Sequence, residues 1–365
     1  MATLSPVPAR AAPAVAGGAW QRWQRGLFAT PLQSALSVLL LSLLAWGGAR
    51  LVEWAVLHAV WSADADSCQA ARGIGACWGV VAEKGRLVLL GRYPADATWR
   101  PVTATLVLLA GVVATMSGTT RRPWLLLAWP AGLAVFIVLM GGGAGLPRVP
   151  TDLWGGLPLT VFLTAAALLL AFPIAVLLAL GRRSTLPAVR TLCAGFIELV
   201  RGVPLISVLF MASFMLPLLL SPGRSPDVLV RVVAGLALFA AAYMAEVVRG
   251  GLQSIPRTQS EAAASLGLGW WQAQRKIVLP QALGAVVPAL VNNCLSLFKD
   301  TSLVTIVSLY ELTGSLALAL GSDPVWRPFK IEAYLFIAAV YFAFCFAMSS
   351  ASRRLEVRLA RSRAR

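Results

Sequence analysis

From Leu157 to Leu180 the chain reads LPLTVFLTAAALLLAFPIAVLLAL, twenty-four residues without one charged side chain. About 20 such residues make a helix long enough to cross the hydrocarbon of a bilayer, where every backbone polar group must be satisfied internally. Comparable runs recur at 33–58, 101–118, 124–141, 191–220, 228–248, 286–309 and 331–349. Only 13% of the 365 residues are charged, about half the share in soluble domains. The chain is therefore expected to be an all-α, polytopic membrane protein with about eight transmembrane helices.

The formal charge of +16 could suggest nucleic acid, but in a membrane chain it is better read as basic loops held on the cytoplasmic side. Eighteen basic residues fall on the side of the two termini (1–31, 119–123, 181–190, 246–281 and 351–365) and ten on the other. This places both termini and the loop 246–281 in the cytoplasm. The loop 61–100 then faces the oxidising side, where Cys68 and Cys77 could pair or remain thiols. One histidine and no C-x-x-C leave no expected metal site and no clustered catalytic groups. No G-x-x-x-x-G-K-[ST] phosphate loop occurs either.

One cytoplasmic stretch, SEAAASLGLGWWQAQRKIVLP at 260–280, is too polar for lipid. Thr258 and Glu261 have capping-box spacing after Pro256, and Gly267 suits the left-handed residue that ends a helix. The expected product is a two-turn helix with Ala262 and Ala263 on a small-residue face. A second helical piece starts near Trp270, with Lys276 on its polar face and Ile277 and Leu279 on its apolar one, and Pro280 ends or kinks it. A helix this short needs a dock; lying on the headgroups as a simple connector is the alternative.

The order Glu261-Ala262-Ala263, three residues, Gly267, nine residues, Ile277, one residue, Leu279-Pro280 resembles the EAA signature of ABC-importer permeases. FIELVRGVPLISVLF (196–210), AAYMAEVVRGGLQSIP (241–256) and FKDTSLV (298–304) are similar to the polar amino-acid branch of that family. GACW, GRYP and WRP, with three spans ahead of the core, resemble the longer M-type subunit of general L-amino-acid importers. The resemblance implies a cytoplasmic tail 1–32, a three-span extension at 33–150, a five-helix type I permease core at 151–350 with its coupling segment at 250–281, and a basic tail 351–365. It implies a bacterial inner-membrane location and a permease subunit with no enzymatic activity of its own. Its partners would be two ATPase subunits that hold ATP and magnesium, a second permease chain and a periplasmic amino-acid-binding protein. An ion-coupled secondary amino-acid carrier is the rival, but it has no use for the EAA spacing.

Charges at membrane depth are candidates for a path or gate. Glu198 and Arg201, and Glu246 and Arg249, each stand one helical turn apart and are expected to pair. Their exchange could gate the path, or they could be static ion pairs. Lys299, Asp300 and Thr301 follow one another in sequence, so they cannot share a helix face. They could meet a zwitterionic amino acid, with Asn292 and Asn293 adding hydrogen bonds, or hold spans together.

Overall fold

The computed structural model describes residues 18–116, 124–221 and 223–363. The basic loop 119–123 and most of the tail 1–32 lie outside them. Among the described residues the regular structure is helical, with no strand. The chain divides at Cys77 into two compact units.

The first unit holds α1 (Ala19–Leu27), α2 (Pro31–Val52) and α3 (Ala65–Ala70). Pro31 opens α2 behind Thr30, whose hydroxyl accepts from the Gln33 N–H at 3.2 Å, a standard use of proline in the first turn. A π-turn over Glu53–Leu57 extends the apolar run, and Arg50 pairs with Glu53 at 3.0 Å. Asp64 caps α3, and the Ser67 hydroxyl and N–H hold its carboxyl below the usual carboxylate range. Cys68 and Cys77 are joined in a disulfide.

The second unit contains α4 (Gly79–Leu90), α5 (Trp99–Met116), α6 (Trp124–Gly141), α7 (Gly156–Arg182), α8 (Pro187–Gly202), α9 (Leu205–Phe210), α10 (Leu216–Leu218) and α11 (Val228–Ser254). They are followed by α12 (Arg257–Ser265), α13 (Trp270–Ala273), α14 (Leu279–Asp300), α15 (Leu312–Gly321) and α16 (Lys330–Arg363). Five helical runs among the described residues are long and apolar enough to cross a membrane: Pro31–Leu57, Gly156–Arg182, Val228–Ser254, Trp270–Val307 and Arg327–Val357. At 18 residues each, α5 and α6 reach only about 27 Å, just under a typical hydrocarbon core.

The expected span 191–220 is not one helix. It bends by 103° between α8 and α9 at Val203–Pro204. A residue before proline is sterically pushed out of the helical region, and Val203 is extended at φ −103, ψ 138. The neighbours show that this broken segment still crosses. Thr151 Oγ1 donates to Asp227 Oδ2 at the start of α11, while Arg182, ending α7, pairs with Glu246 late in α11. Helices α7 and α11 are therefore parallel, and the chain between them must return the full length of the bundle.

The shorter pair α5–α6 is tied at both ends. Trp129 Nε1 donates to Thr115 Oγ1 at 3.1 Å. At the other end buried Arg100 donates to the carbonyls of Leu139 and Pro147 at 2.6 and 3.1 Å, closing the C-terminus of α6 with a cation as its dipole favours. Two close approaches require glycine. Gly156, at φ +61, lies where a Cβ would strike the Leu89 carbonyl, and Gly91, at φ +66, touches Gly155. These fix α4 against the start of α7. The segment between the last two expected spans contains α15, which packs on α4, α7 and α16.

Candidate functional site

Helix α12 begins two residues earlier than the capping-box spacing predicts. Pro256 is its N-cap, no side chain caps it, and Thr258 lies inside the first turn. Proline's fixed φ already prepares the start of a helix. The other end is as expected. Gly267 is left-handed at φ +73, Leu268 N–H donates to the Ala263 carbonyl at 3.1 Å and Gly267 N–H to that of Ala264 at 2.9 Å. These two bonds form the Schellman closure.

Ala262 and Ala263 do not share a face, because helical neighbours point about 100° apart. Ala263 is buried, whereas Glu261 and Ala262 are exposed. Leu266, not singled out from sequence, is 78% exposed. The projecting surface is thus acidic, small and apolar in turn.

The second piece does not end at Pro280. A π-turn at Gln274–Val278 runs directly into α14, where Pro280 stands in the first turn. Widening the turn removes the clash that proline's ring would make with the carbonyl four residues back. Ile277 and Leu279 are half-buried, and the inward residue is Val278. Val278 packs with Leu180 of α7, Val248 and Leu252 of α11 and Ala282 of α14. Gln281 Nε2 also donates to Gln259 Oε1 at 3.2 Å, tying α14 to α12. The π-turn is thus seated on the ends of α7 and α11, and α12 packs against that turn.

Above that turn lies a charge cluster. Glu198 does not pair with Arg201; its partner is Arg182, at 2.8 Å, a residue sequence reading passed over. Arg182 also meets Glu246 at 2.8 Å, Arg249 meets Glu246 at 2.9 Å, and Arg201 stands 3.9 Å from it. Arg201 lies over the Tyr243 ring, 5.4 Å from its centroid. An (i, i+3) spacing allows a pair but does not compel one when another helix presents a better-placed cation. Three guanidiniums from α7, α8 and α11 therefore converge on Glu246. Any of them can let go without leaving that carboxylate bare.

The residues Lys299, Asp300 and Thr301 do not form one site. The helix does not break here but tightens to a 3-10 turn over Thr301–Val307. Thr301 is buried and its hydroxyl donates to the Phe298 carbonyl, while Lys299 is exposed. Asp300 lines a cavity of about 280 Å³ between α11 and α14, with Phe239, Tyr243, Asn293 and Ser296. Asn293, not exposed Asn292, lines it, and Asn293 Nδ2 is buried with no hydrogen-bond partner. A cavity with an acid, an unpaired amide and two aromatic rings has the donors, acceptor and stacking surfaces to hold a small polar molecule.

A further acid, unexpected from sequence, is Glu311. It is fully buried, caps α15 by accepting from the N–H groups of Thr313 and Gly314 at 2.8 and 3.0 Å, and accepts from Tyr341 at 2.8 Å and Thr160 at 3.2 Å. Its signal was present: an acid directly before the apolar run LTGSLALAL occupies an N-cap position.

The sequence compares as follows with known proteins. The family described as binding-protein-dependent transport system inner membrane component matches residues 171–361. The chain is 46% identical to the inner membrane amino-acid ABC transporter permease protein YhdY of Escherichia coli K12, over 84% of each chain. It is 36% identical to the glutamate/glutamine/aspartate/asparagine transport system permease protein BztC of Rhodobacter capsulatus, over 96% of each. Among solved structures, a crystal structure of an amino acid ABC transporter with histidines matches at 30% identity and a TM-score of 0.49, covering 56% of this chain and 92% of that one.

Proposed function

The chain belongs to the family of binding-protein-dependent transport system inner membrane components, and we infer that it is the permease subunit of an ATP-driven amino-acid importer. It is a multi-pass protein of the inner membrane and works with ATPase partners. The observation that carries the mechanism is α12: a nine-residue polar helix, closed at Pro256 and Gly267, that presents Glu261, Ala262 and Leu266 outward while its Ala263 is buried, as is Val278 of the π-turn it packs against.

In this reading the ATPase grips α12, and ATP with magnesium is bound and hydrolysed there, not on this chain. Two ATPase subunits and a second permease complete the membrane assembly, and a periplasmic binding protein delivers the amino acid. Both termini and α12 are cytoplasmic. Movement of α12 passes through Val278 to the ends of α7 and α11, where Glu246 changes partners among Arg182, Arg201 and Arg249. That exchange opens and closes the cytoplasmic end of the path. The substrate's ammonium meets Asp300 and its carboxylate meets Asn293, with Lys299 outside the cavity.

The test is co-expression with an ATPase subunit, followed by co-purification and uptake of labelled L-amino acids. Glu261→Lys with Leu266→Asp is expected to release the ATPase and lower uptake at least about tenfold, the equivalent of ~1.4 kcal/mol of coupling. Undiminished uptake by that double variant would remove this reading. Uptake driven by an ion gradient without any ATPase would establish a secondary carrier instead.

A further inference from the structure

A cleft of about 550 Å³ opens where the α5–α6 pair meets α7 and α16. Its walls are hydrocarbon, including Leu108 and Val112 of α5, Trp129 of α6, Leu168 of α7 and Met348 of α16. The polar groups in those walls are already engaged: Thr164 Oγ1 donates to the Thr160 carbonyl at 2.8 Å, and Trp129 Nε1 to Thr115. One charge lines the cleft, Arg354. It is exposed and forms no ion pair among the described residues. From Phe344, which also lines the cleft, to Arg354 is about 15 Å along α16 at ~1.5 Å per residue.

A long apolar slot ending in a free guanidinium matches a molecule with a hydrocarbon tail and an anionic head. An amino acid does not fit, because its ammonium would lie against walls that offer no acid. A neutral lipid would fill the slot and leave Arg354 unused. In a membrane-spanning chain acyl chains are the surrounding solvent, and arginine recognises phosphate through paired N–H donors. Arg353 stands beside Arg354, which raises the local positive potential. We propose that this cleft holds one acyl chain of an anionic phospholipid, with its headgroup phosphate on Arg354. The lipid wedges the α5–α6 pair against α7 and α16. This binding role is separate from ATP coupling and stands or falls without it.

The experiment places the full-length chain, in its complex with the ATPase, in nanodiscs containing either photo-reactive phosphatidylglycerol or photo-reactive phosphatidylcholine, each with the reactive group on an acyl chain. Crosslinks are mapped by mass spectrometry. Peptides containing Val112 and Met348 are expected to be labelled about five-fold more by the anionic lipid, the ratio corresponding to ~1 kcal/mol per basic residue near the surface. Arg354→Glu should abolish the preference, Arg354→Lys should keep most of it, and Ala347→Phe should reduce labelling by both lipids by filling the slot. Equal labelling by the two lipids, or a preference that survives Arg354→Glu, overturns the proposal. Labelling undiminished by Ala347→Phe in folded protein also overturns it, because the lipid would then lie outside the cleft. Arg354→Glu lies on the exposed end of α16 and keeps the test decisive if the filled variant does not fold.

Discussion

Two carboxylates stand near the two ends of α7, about 33 Å apart along its axis, and their burial is handled in opposite ways. Near Arg182, Glu246 is ringed by three guanidiniums and remains partly exposed. Near Thr160, Glu311 is sealed from solvent and ringed by neutral donors: two backbone N–H groups, a tyrosine and a threonine. The two N–H donors are fixed by the end of α15 and cannot be swapped, and the two hydroxyls add no charge that could be traded. Guanidiniums on long side chains from different helices can trade places at little cost, because solvent and alternative partners share the charge. One end of α7 is thus built as a fixed joint and the other as an exchangeable one.

The largest effect should come from Glu311→Ala. It leaves two N–H groups without their acceptor and takes from the Tyr341 hydroxyl its shorter bond, in a site sealed from solvent, at a cost of roughly 3–5 kcal/mol. Thermal unfolding in nanodiscs would read this as a large drop in midpoint, partly recovered by Glu311→Gln. Arg182→Ala should cost less, roughly 2 kcal/mol, because Glu246 keeps Arg249 and Glu198 is largely exposed. Its uptake should nevertheless fall far more than its stability. If Arg182→Ala unfolds the protein as thoroughly as Glu311→Ala, the contrast between the two ends is wrong.

Gly267→Ala comes next, at about 1 kcal/mol. No atom lies within 4 Å of where the new Cβ would go, so the cost is purely that of the left-handed backbone. Hydrogen exchange of residues 257–268 should rise while that of α15 stays unchanged, which would localise the effect to the Arg182 end.

The smallest effect concerns a surface ion pair at the Glu311 end. Lys84 meets Asp323 at 2.7 Å, and its hydrogen bond holds the Asp323 carboxyl below the ordinary aspartate range. A carboxyl depressed on folding stabilises the protein above its unfolded value of about 3.9, and that contribution is lost as pH falls through the folded value. Lys84→Met should therefore melt slightly earlier than the parent at pH 7. The difference should shrink as pH falls below about 4 and vanish below the folded value, and a gap that persists there would show that Lys84 acts by packing instead.

Much of this arrangement was legible in the sequence because it depends on local rules. Leu157–Leu180 could only be a long apolar helix, and Gly267 could only be a helix end. The Val203–Pro204 break was also locally encoded, but a run of apolar residues on both sides hides a backbone corner from any hydropathy window. Helix α15 escaped notice because ten residues are too few to cross a bilayer, and its stability comes from packing on α4, α7 and α16. Which cation Glu198 selects depends on where α7 ends beside α8, and the choice between Asn292 and Asn293 depends on the rotation of α14 against α11. Sequence periodicity supplies neither quantity, since both are set by contacts between distant helices.

The two closures of α12 have a mechanical consequence. Proline at one end and a left-handed glycine at the other leave no residue by which this helix can grow or unwind into its flanks. A tooth of fixed length has no backlash: a shove against it cannot be absorbed by fraying, so the displacement must appear in the bundle above.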